Sequence, residues 1–251
     1  MIDKLILQSG ADVAFNEGRL MIHPPSLYEI GLIGGETVLW EACDILTTTK
    51  KDLIDVDKSV LEEISNFDII MSMVKDKNIK TRQRVISVFK LFSLLFPNRE
   101  VKIEDKQILF KSQEQQIDGF LDANNFELFQ KMLSDIFDLQ KIRGKKEYNP
   151  VNEKAAKLAE KFKKASAIKA QQQQQKKESV NIFDRYISIL AVGEHKNQTD
   201  LVKLTIYQLY DEYERFMLNQ NYEYNIRWRM AGATDMETPS DWRSDIHTNE
   251  S

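Results

Sequence analysis

Apolar residues recur every three or four positions along most of this chain, and every second position in only a few short stretches. Residues 4–8 (KLILQ) predict a first strand. Residues 12–16 and 19–23 flank Glu17-Gly18, a two-residue turn signal, and predict a hairpin that Pro24-Pro25 ends. Ser26 and Glu29 have capping-box spacing, so a helix is predicted to start there and break at Gly34-Gly35. A second helix is predicted over 36–48. Ser59 and Glu62 form another such box, followed by Leu61, Ile64, Phe67, Met71 and Val74 on one helical face. Residues 81–96 are apolar on nearly all sides and predict a buried central helix, stopped by Pro97-Asn98. Residues 101–103 and 107–111 predict a hairpin across 104–106. Residues 124–142 predict a helix with Phe126, Phe129, Leu133, Ile136 and Phe137 inward and Asp122 as its cap.

The pattern changes at Gly144–Pro150. Residues 151–178 are rich in Ala, Lys, Glu and Gln, with only a thin apolar stripe and five consecutive glutamines at 171–175. A solvated helical tether is expected there. Apolar spacing returns with Ile182, Phe183, Tyr186, Ile187 and Leu190. A polar turn at 194–198 and a longer helix from Thr199, carrying Val202, Ile206, Leu209, Tyr213, Phe216 and Met217, complete a predicted helical hairpin. Asp211 and Arg215 are spaced as an i,i+4 pair, and Asn219-Gln220-Asn221 is a candidate break. Thr238-Pro239 predicts a last short helix over 242–246. The expected fold class is therefore mainly α with a small N-terminal β portion (α+β). The predicted parts are an N-terminal domain (1–143), a charged linker (144–179) and a C-terminal helical module (180–251).

Composition narrows the function classes. At 42% hydrophobic and 29% charged over 251 residues, the chain has enough apolar material for a core over most of its length. Its longest apolar run is too short to span a membrane, and an acidic residue near the N-terminus argues against a secretory leader. The single cysteine, Cys43, excludes an intrachain disulfide and fits a reducing compartment. A net charge of −4 hides a basic segment at 141–177, with twelve Lys/Arg against three Glu. That segment reads as a solvated spacer, a protein contact or a nucleic-acid contact. Few aromatics lie in it to stack on bases, so nucleic acid is the weakest of the three.

Catalytic chemistry finds no foothold. Asp55, Asp57 and Ser59 fit the first positions of a calcium loop, but Val60 replaces the required glycine and Asn66 the required glutamate. Gly31, Gly34 and Gly35 lack the Lys-Ser/Thr of a phosphate loop. His23, His195 and His247 have no metal-ligand spacing, and no histidine is implied beside Cys43. A non-enzymatic protein without cofactor or metal is expected.

The stretch NIRWRMAGATDMETPSDWRSDIH (225–247) holds two of the three tryptophans, an unusual use of a chain end. Its residues read either as a lid packed on the helical hairpin or as a partner surface, since Trp and Arg are enriched at binding hot spots. The candidate partner-binding residues are Tyr213, Phe216, Tyr222, Arg227, Trp228, Met230 and Trp242.

Two stretches carry a family resemblance: YDEYERF followed by RMAGATD, DW and IH near the C-terminus, and IHPPSLYEIGLIGGETVLW near the N-terminus. They resemble tail assembly chaperones, or baseplate-hub assembly factors, of tailed bacteriophages of Gram-positive hosts. The resemblance covers about a quarter of the chain and no catalytic motif. It implies a helper of tail construction in the host cytoplasm that binds the tape measure protein and gathers tail-tube or baseplate-hub subunits. The alternatives are a structural component of the tail or baseplate, and a nucleic-acid-binding protein using residues 141–177.

Overall fold

The computed structural model describes residues 2–49, 64–76, 78–139, 181–233, 238 and 241–243. The predicted linker with its glutamine run, the basic segment, the Ser59 box and most of the predicted last helix lie outside these residues. Within them the protein is mainly α, with a two-stranded and a three-stranded antiparallel sheet.

The N-terminal segment corrects the first expectation. Residues Lys4–Ser9 form helix α1, not a strand. The Asp3 side chain accepts from the Leu5 N–H, and Gly10, left-handed at φ 69°, closes the other end. A cap and a glycine bracketing six residues outweigh a short apolar run. The first hairpin is as predicted: β1 (Val13–Phe15) pairs with β2 (Leu20–Ile22), with Val13 opposite Ile22. Its turn is longer than two residues, because Asn16, Glu17 and Gly18 all take positive φ.

Helix α2 (Leu27–Ile33) starts at the predicted capping box, in which Ser26 and Glu29 satisfy each other's backbone N–H. Gly34, at φ 122°, breaks it before α3 (Gly35–Leu46). A side chain at Gly34 would also strike Val38. The next described box is Ser65 with Asp68, which opens α4 (Asn66–Lys75). The central helix α5 (Ile79–Leu95) buries Val88, Leu91, Phe92 and Leu95 and packs along α3.

Strands β3 (Glu100–Glu104) and β4 (Gln107–Lys111) form the second predicted hairpin, turned through Asp105 and Lys106, both at positive φ. A third strand, β5 (Ile117–Leu121), was not expected. It pairs with β4 across a bulge at Phe110/Lys111, and Gly119 at its middle obscures the strand pattern. Asn125, the residue before helix α6 (Phe126–Ile136), makes no side-chain capping bond. Asp122 instead accepts from the backbone N–H groups of Asn124 and Asn125. Phe129 is the hub of the core. Its ring contacts Phe15, Phe92, Phe96 and Phe126 at centroid distances of 5.8–6.2 Å.

After the undescribed segment come α7 (Ile182–Gly193), the short α8 (Gln198–Leu201) and α9 (Ile206–Met230). The helix expected from Thr199 is interrupted at residues 202–205, and Thr205 caps α9 through a box with Gln208. No break occurs at Asn219–Asn221. The helix penalty of each polar residue is a few tenths of a kcal/mol or so, too small to stop a helix already under way.

The C-terminal helices share the N-terminal core. Phe183, Ile187, Leu190, Leu201, Ile206, Tyr207, Leu209 and Tyr210 belong to one hydrophobic cluster with the buried residues of α1–α6. Backbone bonds stitch the two parts together. Leu27 N–H donates to Leu204 O (2.9 Å) and Tyr28 N–H to Val202 O (2.8 Å). The Glu36 carboxylate accepts from Ile182 N–H (2.7 Å) and from the Trp40 indole N–H (2.9 Å). Trp40, the one tryptophan outside the C-terminal stretch, lies against Phe183.

Candidate functional site

Helix α9 begins as a core element and ends as a solvent-facing one. It buries Ile206, Tyr207, Leu209 and Tyr210, and then none of residues 211–230. At about 1.5 Å per residue its last twenty residues extend for roughly 30 Å.

Its first half is fixed by aromatic packing against α7. Tyr186 stacks on Tyr213 with centroids 3.8 Å apart and meets Tyr210 edge-on at 5.6 Å. Burial first, and then the neighbouring Tyr186, push the Tyr210 hydroxyl well above its ordinary range. Phe216 fills the space over Gly193, where any side chain would meet its ring. Beside this contact, Lys196 bridges Glu194 (2.9 Å) and Glu212 (3.0 Å). Burial works against the Lys196 charge, but the bonds to the two carboxylates outweigh it and raise its pKa.

The second half carries exposed apolar side chains. Met230 is 84% exposed, Trp228 59% and Tyr224 51%, with Ile226 and Met217 near 37%. Met217, Tyr224 and Trp228 share one side of the helix, whereas Ile226 and Met230, two residues out of step, lie on the other. A hollow of about 480 Å³ lies among Asn221, Tyr224, Asn225 and Trp228. Arg227, also exposed, pairs with Glu223 one turn back at 3.2 Å.

Gly232, at φ 96°, follows the end of α9, and Trp242 lies beside the middle of that helix. There the Trp242 carbonyl accepts from the Arg215 guanidinium at 2.6 Å. Arg243 sits on Asp241 (3.1 Å). That side-chain bond is the main reason the Asp241 pKa is lowered.

The seven predicted partner-binding residues thus divide. Tyr213 and Phe216 are partly buried and pack against the core. Tyr222 is half-buried, and Trp242 lies on the returning tail. Arg227, Trp228 and Met230 stand in solvent at the helix end. Sequence reasoning missed Met217, Asn221 and Tyr224. Their spacing with Trp228 (four, three, four) was the available signal, hidden by the break expected at Asn219–Asn221.

Among the described residues no group of three or more His, Cys, Asp or Glu could hold a metal ion. Nor is any described helix long and apolar enough to cross a membrane.

Residues 172–247 match the model of the YomV second domain. The matched family is a phage-derived one. The match takes in α7, α8, α9 and the returning Trp242, and so contains the whole exposed surface described above. No curated protein and no solved structure matches the chain.

Proposed function

We propose that this protein is a non-enzymatic phage tail-assembly factor that holds a tail protein, the tape measure protein, through the exposed end of α9. The observation that carries this reading is the helix itself. It is anchored at one end in the core, and it presents Tyr224 and Trp228, one turn apart on the same side, to solvent within the segment that matches a phage-derived family. A tape measure protein is a long helical client, and an apolar helix face pairs naturally with another amphipathic helix. Exposed methionine adapts to varied partners, and tryptophan supplies a large anchor. Tail-tube or baseplate-hub subunits would gather on the same client. The working place of such a factor is the host cytoplasm.

Co-expression with the tape measure protein of the same phage tests this. The tape measure protein is expected to become soluble and to co-purify with a tag on this chain, while purified virions contain little of the chain by mass spectrometry. Failure to co-purify, together with a fixed copy number in virions, would replace the reading with that of a structural tail or baseplate component.

A further inference from the structure

We infer that α9 pairs antiparallel with the α9 of a second copy of this chain, through the stripe Met217, Asn221, Tyr224 and Trp228. The hollow on α9 is lined by residues at i, i+3, i+4 and i+7: Asn221, Tyr224, Asn225 and Trp228. Four residues at that spacing make the hole that receives one side chain of a facing helix in knobs-into-holes packing. The stripe is also symmetric about its own centre. Reversing a second α9 so that Asn221 faces Tyr224 also places Met217 opposite Trp228, and both contacts then occur twice, as a twofold interface requires. A parallel arrangement would instead set Asn221 on Asn221 and Trp228 on Trp228.

Charge favours the same direction. The first half of α9 carries Asp211, Glu212 and Glu214 against Arg215; the second carries Arg227 and Arg229 against Glu223. Antiparallel pairing lays each acidic half along a basic half and brings Arg229 of one copy within a turn of Glu214 of the other. The polar Asn221, the knob facing the hollow beside Tyr224, would fix register at some cost in strength. From Met217 to Trp228 the stripe runs about 16 Å along the axis, which places the interface at the small end of specific contacts and makes the pairing concentration-dependent.

This inference does not depend on the identity of the client. If the client reading also holds, pairing covers the stripe until a client helix takes the place of the second copy.

Light scattering on the full chain, over a concentration series reaching hundreds of micromolar, tests it. The expected result is a mass rising from monomer toward dimer, with Trp228→Asp weakening association by roughly tenfold or more. Circular dichroism should stay unchanged, because Trp228 lies outside the core. Geometry is read separately from Met217→Cys and Trp228→Cys variants under mild oxidation. Mixed together they should cross-link; alone, each should not, since an antiparallel pair holds like positions eleven residues out of register. A monomeric mass at every concentration would overturn the proposal. So would a Trp228→Asp variant that associates as tightly as the parent, or single variants that cross-link to themselves as well as the mixture does. Capture of the tape measure protein is a separate readout, so failure of either reading leaves the other standing.

Discussion

Phe129→Ala is expected to remove about 3–5 kcal/mol of folding stability, the loss typical of deleting a large buried aromatic ring. Phe129 is fully buried, and its ring touches four others drawn from β1, α5, α6 and the residue following α5. Those rings join β1, the end of the central helix and α6, which lie far apart in sequence, so a cavity there opens a place where all three meet. A single domain has only about 5–15 kcal/mol to lose. The substitution therefore brings the protein near its unfolding threshold. Phe129→Leu, which keeps most of the volume, should cost less. Urea unfolding of the two variants beside the parent, followed by circular dichroism, measures the difference. A loss below about 1 kcal/mol for Phe129→Ala would mean that these rings are not closely packed, since cavities in a tight core are not filled freely.

The second large effect is on binding. Replacing Tyr224 and Trp228 together by alanine is expected to weaken capture of the tape measure protein by at least about a hundredfold, because two aromatic anchors contribute most of the energy of a helix-sized contact. Stability should change by no more than about 0.5 kcal/mol, as for other solvent-facing positions. Trp40 supplies the contrast. It touches Phe183 and bonds Glu36, which also holds the first turn of α7, so Trp40→Ala should reduce stability and affect capture only through it. Quantitative pull-down at matched protein levels, beside thermal unfolding of each variant, separates the two tryptophans. Equal behaviour of Trp40 and Trp228 variants would mean that Trp228 acts through the fold.

Much of the architecture was legible because the deciding signals are local. The Ser26 capping box, the glycine pair after α2 and the phenylalanine face of α6 each fix an element within a dozen residues; the run of α5 reads as apolar on nearly all sides, yet the helix is buried on one side only and leaves Ile86, Lys90 and Ser93 exposed. Failures came where two local signals compete. KLILQ alternates weakly enough to pass for a strand, but Asp3 and Gly10 bracket it as a helix. β5 carries Gly119 at its centre, where a side chain would strike Leu20, so tertiary packing rather than strand propensity selected that residue. The asparagines at 219 and 221 lower helix propensity slightly, and the well-capped start of α9 carries the helix through them. The candidate site was half visible. Trp and Arg at the chain end drew attention to Arg227, Trp228 and Met230. Only the three-dimensional arrangement separates these from Tyr213 and Phe216, which share the helix and face inward, because one apolar helix pattern serves both core and surface.

Hydrogen exchange on the full chain, alone and co-purified with the tape measure protein, shows whether the end of α9 is the grip. It should be run below the concentration at which copies of the chain pair. Slowed exchange in the complex confined to residues 217–230 is the predicted result. Unchanged exchange there, with protection appearing elsewhere on the body, would contradict the assignment of the α9 end as the grip.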